Sequence, residues 1–213
     1  MTGFIDELLA EVIGQQVALM SAVARLEART DGEALHDLRI ALRRLRSLLR
    51  PIRGVPGVEE LEHAAAEVGR LSGPIRDLEV LLPALAAEGL RDALAVRRPV
   101  LESGYVAVLA SQPLHRLQLC LDVWPALLRT AQRHAVLDGL HGRVRKRLRR
   151  QWKTLRAELA DTTYEHWHPL RLRIKRVRYG LEAYPHDCSI PGSLLAPLKA
   201  AQSALGDWHD LEQ

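Results

Sequence analysis

The chain has 213 residues, 30 Lys and Arg against 26 Asp and Glu, a net charge of +4 and an aromatic content of 4%. That length can bury a sizeable core, and the excess of Leu, Ala and Arg over β-branched residues favours helix nearly throughout. No apolar stretch is expected to approach the roughly 20 residues that cross a bilayer. The acidic N-terminus with Asp6 and Glu7 does not read as a signal peptide, and Cys120 and Cys188 lack metal-ligand spacing. These features point to a cytoplasmic helical protein with reduced thiols.

In chain order, residues 4 to 28 predict a long amphipathic helix. Asp31 is placed to cap a second, basic helix, which should run to about Leu49 and stop near Pro51 and Gly54. A third helix is expected over 57–72 and a fourth over 74–88, with Pro74 in its first turn. Helices near 90–110 and 113–130 form a connecting hairpin, whose first member Pro99 and Gly104 should break or kink. Three more follow: a long helix over 132–160, a second basic helix over 165–184, and a last one over 192–205. Pro185, Pro191 and Gly192 separate the final two.

A histidine–arginine pattern occurs twice. His36, Arg39, Arg43, Arg44 and Arg46 recur 132 positions later as His168, Arg171, Lys175, Arg176 and Arg178. Gly73 and Asp77 recur 133 positions later as Gly206 and Asp210. The near-equal offsets imply an all-α protein built by duplication: a first repeat over 1–89, a connecting hairpin over 90–131 and a second repeat over 132–213. The second repeat stops short of a counterpart to 78–88.

At about 100° per residue, positions 0, +3, +7 and +10 share an arc of about 80°. His36, Arg39, Arg43 and Arg46 therefore form one stripe, and His168, Arg171, Lys175 and Arg178 its twin. Leu38, Leu42, Leu45 and Leu49, with Leu170, Ile174, Val177 and Leu181, make the adjoining core-facing sides. Arg44 and Arg176 lie off the stripes by a quarter turn and either approach a ligand from the side or face water.

Charge is sharply segregated. Segments 36–53, 143–156 and 171–178 hold 19 of the 30 Lys and Arg residues and one acid, Asp37, which leaves the remainder at −14. Such self-repulsion costs stability unless an anion offsets it. Arg143, Lys146, Arg150 and Lys153 share a helical face; Arg147 and Arg50 belong to the same basic segments, and Lys199 could extend the basic wall. A basic run is usually just a solvated face, but this one directly precedes the second basic helix. Both histidines have two readings: a donor to phosphate, or a helix-start residue that orients Arg39 or Arg171. A metal there is disfavoured by the neighbouring arginines. For Asp77 and Asp210, ion pairing or capping outweighs catalysis. The four tryptophans should pack rather than stack on bases.

These motifs carry a resemblance. LHDLRIALRRLRSLLRPI (35–52) resembles the signature of the CHAD family, the conserved histidine α-helical domain, and HPLRLRIKRVRYGLEAY (168–184) its second copy. LSGPIRDLEVL (71–81) and LGDWHDLE (205–212) are similar to the family's two Leu-Gly…Asp-Leu elements, with Ser72 departing from the first. The resemblance covers essentially the whole chain. It implies two pseudo-symmetric helical bundles around a basic central cavity, and binding of inorganic polyphosphate, often at polyphosphate granules. Arg forks suit phosphate oxygens, and no cofactor is implied. Two other classes compete. A nucleic-acid backbone binder fits the basic helices, but they carry no stacking aromatics or reader motif. A phosphoanhydride-processing enzyme would need clustered carboxylates or a P-loop, which the basic segments lack. Non-catalytic polyphosphate binding is the expectation; chain-length preference and oligomeric state are not legible.

Overall fold

The computed structural model describes residues 3–160, 167–187 and 191–212, and in the last helix describes side chains as far as Gly206 and at Trp208. Among the described residues there are nine α-helices and no strand: α1 (Phe4–Ala28), α2 (Ala34–Leu49), α3 (Val58–Leu71), α4 (Gly73–Ala87), α5 (Arg91–Leu109), α6 (Gln112–Arg133), α7 (Leu140–Ala160), α8 (Trp167–Ala183) and α9 (Leu195–Glu212). Short 3-10 turns at Arg50–Ile52 and Gly192–Leu194 follow α2 and precede α9. The all-α expectation is met, and most predicted helices lie within two residues of their observed bounds.

The last helix, expected over 192–205, runs over Leu195–Glu212, and three further expectations need correction. The long helix placed at 132–160 is in fact two segments. α6 runs on to Arg133, and α7 begins only at Leu140, because left-handed backbone at Ala135 (φ 59°) and Gly139 (φ 69°) turns the chain between them. α5 passes through Pro99 without ending; packing on α4 and α1 outweighs a cost of about 3 kcal/mol for an interior proline. Third, α1 does contain an 18-residue window long and apolar enough to cross a membrane, at mean hydropathy 1.2. Its Leu8, Leu9, Val12, Leu19, Ala22 and Leu26 are nevertheless buried against protein, the pattern of a packed helix with one core-facing side.

The chain divides into two compact units, 1–46 with 54–136, and 47–53 with 137–213. The 90–110 and 113–130 hairpin thus groups with the first four helices, and the end of α2 with its 3-10 turn groups with the last three. In the first unit α3 packs on α6, α4 on α5, and α1 touches both α5 and α6. Arg129 pairs with Asp6 at 2.6 Å and Gln16 donates to Asp122 at 2.7 Å, which sets α1 antiparallel to α6. Gly57 (φ 77°) starts α3 against α6; a Cβ there would lie 2.9 Å from Leu127 Cδ2 and 3.2 Å from Trp124 Cδ1.

In the second unit α8 is central, with α7 on one side and α9 on the other. Leu155, Leu170, Ile174, Val177, Leu181 and Leu198 form its core, and Trp152 packs against it. Trp167 meets Trp208 edge to face, ring centroids 4.8 Å apart. α8 approaches α7 closely at Gly180, where a Cβ would stand 3.0 Å from Leu148 Cδ2.

Candidate functional site

The first basic stripe is built on α2, whose Leu38, Leu42 and Leu45 are fully buried. Asp31 does not cap α2 from the N-cap position. Its Oδ1 accepts the Glu33 N–H at 3.0 Å, a turn ahead of the helix, while Arg25 grips both its oxygens at 2.9 and 2.6 Å. Arg25 also binds Asp37 at 2.7 Å. The single acid of the basic segments is thereby turned toward the end of α1, and α1 anchors the start of α2. The Arg25 guanidinium holds the Asp31 carboxyl well below the usual carboxylate range.

Along the stripe, His36, Arg39 and Arg46 are half-buried, and Arg43 and the off-stripe Arg44 are exposed. Arg39 Nη1 donates to Gly69 O at 2.9 Å and Ser72 Oγ at 3.0 Å, tying α2 to the α3–α4 junction. Ser72 is fully buried. The same nitrogen lies 3.7 Å from where a Cβ on Gly73 would stand, so this glycine leaves room for a guanidinium. Burial pushes the Arg39 pKa down, with Arg76 and Arg43 adding to it and Asp77 opposing. Asp77 therefore acts on Arg39 as a counter-charge.

The second stripe, on α8, has the same arginine–glycine packing. Arg171 is half-buried, and a Cβ on Gly206 would stand 3.4 Å from its Nη2. His168 is exposed, and Lys175 is half-buried with Nζ 6.0 Å from the Tyr179 ring. Arg178 is drawn inward, its side chain 12% exposed, stacked at 4.4 Å over Tyr179, paired with Glu182 at 2.8 Å and donating to Gln202 at 3.1 Å. It braces α8 against α9. Arg176 is exposed, and Arg173 is paired with Glu158 at 2.5 Å.

α7 supplies the broadest cationic face. Val144, Leu148 and Leu155 are buried, while Arg143, Lys146, Arg150 and Lys153 are exposed. Arg143 donates back to Asp138 O at 2.7 Å. Arg147 is a strut: its Nη1 donates to Pro51 O and Arg53 O, each at 2.8 Å. Lys199 is exposed on α9.

Within the second unit, Arg50 and Arg176 line one pocket of about 230 Å³. Ser47, Arg53 and Gln151 are among the further lining residues that sequence reasoning missed. Arg53 carried a signal through the charge count of its segment. Gln151 carried one as the neutral residue inside the α7 run. Among the described residues no group of three or more His, Cys, Asp or Glu gathers to hold a metal. His166, Cys188 and the side chain of Asp210 lie outside the described residues. Cys120 is a half-buried free thiol whose pKa burial pushes up.

Comparison with solved structures finds the crystal structure of the CHAD domain from the plant Ricinus communis. It superposes at TM-score 0.71 with 25% identity, covering 99% of this chain and 76% of that one. A comparison with curated proteins gives no match. The family model described as CHAD domain matches residues 11–213. Near-complete coverage by that model, the paired His–Arg helices and the shared all-helical fold together place this chain in the CHAD domain family.

Proposed function

We propose that the protein binds inorganic polyphosphate without chemical turnover, in the cytoplasm and at polyphosphate granules. One observation carries the reading: Arg43, Arg44, Arg143, Lys146, Arg150, Lys153 and Arg176 are all solvent-exposed on α2, α7 and α8, in segments whose single acid is engaged by Arg25. Clustered exposed cations repel one another, and a polyanion removes that repulsion. Polyphosphate carries about one charge per unit and no bases, which suits helices rich in guanidinium and poor in exposed aromatics. The family assignment and the duplicated stripe support the same ligand.

His36 and His168 remain candidate donors to phosphate, with the charged form favoured beside an anion. Arg39 and Arg178 hold their helices as well as contributing charge, and Arg43, Lys175 and the α7 cations extend the cationic faces. Binding rather than turnover fits helix faces that offer cations where a hydrolase would present carboxylates for Mg²⁺.

The test is competition binding of long-chain polyphosphate against single- and double-stranded nucleic acid at physiological salt. Polyphosphate should win per phosphate, and Arg43→Glu with Lys175→Glu should abolish binding while helicity by circular dichroism is kept. Equal competition by nucleic acid, or full affinity in the folded double variant, would overturn the proposal.

A further inference from the structure

The pocket in the second unit differs in kind from the open cationic faces. Arg50, Arg53 and Arg176 line it together with Ser47, Gln151 and Tyr179, and no Asp or Glu is among its lining residues. These donors come from three elements held in fixed relation. Arg147 pins the 3-10 turn to α7 through the Pro51 and Arg53 carbonyls. Tyr184, at the end of α8, donates its buried hydroxyl to Leu48 O at 2.5 Å and secures the end of α2. Gly180 lets α7 come close enough that Gln151 Oε1 lies 3.7 Å from the position of a Cβ on it. The wall is thus assembled before any ligand arrives, which lowers the ordering cost of binding.

Size and charge define the occupant. A volume of about 230 Å³ leaves room for two linked phosphoryl groups. An interior polyphosphate unit carries about one charge, whereas a terminal one approaches two near neutral pH, as a phosphomonoester does with its second pKa near 6. A terminal diphosphate therefore brings about three negative charges to a pocket whose only charged lining residues are arginines.

The geometry points to a discrete diphosphate pocket: it seats a pyrophosphate group, either the end of a polyphosphate chain or free pyrophosphate. The choice of ligand rests on the polyphosphate reading above. The pocket adds a second mode of contact, in which one compact, highly charged unit is gripped while the rest of a chain lies on open helix faces.

The test is isothermal titration of the whole protein with pyrophosphate, with unmodified long-chain polyphosphate, and with the same chain capped at both ends as phosphoramidates. Pyrophosphate should saturate at one site per chain. Arg176→Gln should weaken it at least tenfold, Gln151→Glu should abolish it, and Arg98→Gln on α5, outside the basic segments, should leave it unchanged. Displacement of pyrophosphate by the unmodified chain alone assigns the pocket to chain ends. Displacement by neither chain assigns it to free pyrophosphate. Equal displacement by capped and unmodified chains overturns diphosphate-end recognition, as does pyrophosphate binding that is absent or unaltered in folded Arg176→Gln and Gln151→Glu. Should the wild type fail to bind long chains yet saturate with pyrophosphate, the polyphosphate reading falls and the pocket stands. Long-chain binding without pyrophosphate binding is the reverse.

Discussion

Arg39→Met separates the structural from the solvent-facing part of the first stripe. Methionine keeps an unbranched apolar stem of similar reach and removes every donor. Two bonds are lost, to Gly69 O at 2.9 Å and Ser72 Oγ at 3.0 Å, the second to a fully buried hydroxyl that keeps a 3.4 Å contact of its own with Gly69 O. Hydrogen bonds to a charged group contribute about 1.5–3 kcal/mol each. Discounting for a half-exposed guanidinium screened by water leaves about 2–3 kcal/mol for the pair. For a chain of this size 1 kcal/mol moves Tm by roughly 2–4 °C, so Arg39→Met should melt about 4–12 °C below the wild type. Arg43→Met, at an exposed position one turn on, should cost less stability than Arg39→Met while weakening polyphosphate binding. Calorimetric melting without ligand measures both. An Arg39→Met melt within 1 °C of wild type would show that the bonds to the α3–α4 junction contribute nothing, and the division of roles along the stripe would fail.

Gly57→Ala should lower stability by about 3 kcal/mol, combining the left-handed backbone with a Cβ 2.9 Å from Leu127 Cδ2; chemical denaturation reads it, and an unchanged midpoint would refute the packing argument. Polyphosphate affinity should fall steeply between 50 and 200 mM salt, by about 10³-fold or more if six or more phosphates are contacted; a shallow slope in the titration would contradict an electrostatic face. The Arg25–Asp31 pair has a definite pH signature. Asp31 titrates below its unfolded value in the folded chain, so its contribution is complete above about pH 4 and disappears as pH falls through the lower folded pKa. The Tm gap between wild type and Arg25→Gln should therefore be full at pH 6 and close toward pH 2; a gap constant with pH would remove Asp31 from the account.

Much of this protein is legible in the chain itself. The 3.6-residue rhythm of Leu38, Leu42, Leu45 and of Leu170, Ile174, Val177, Leu181 predicts both basic helices, because amphipathic period is local and follows from backbone geometry alone. The recurrence of His–Arg and Gly–Asp patterns, and the concentration of cations in three segments, likewise need no coordinates. Glycine and proline were less reliable guides. Pro99, expected to break or kink α5, does not end it, whereas the left-handed turn at Ala135 and Gly139 interrupts the one long helix expected over 132–160.

What each cation does was decided by tertiary structure. Arg39, Arg43 and Arg46 look equivalent on a helical wheel, yet Arg39 reaches Ser72 and Gly69, 33 and 30 residues away in sequence. Arg178 turns inward onto Tyr179, Glu182 and Gln202, and Arg147 supports the 3-10 turn. Helical phase specifies the direction of a side chain but not what lies opposite, and a long guanidinium stem takes whichever carbonyl, carboxylate or ring folding brings within reach. The same holds for the pocket of Ser47, Arg50, Arg53, Gln151 and Arg176. Its residues span more than a hundred positions, and only the packing of α7, α8 and the end of α2 in one unit brings them together.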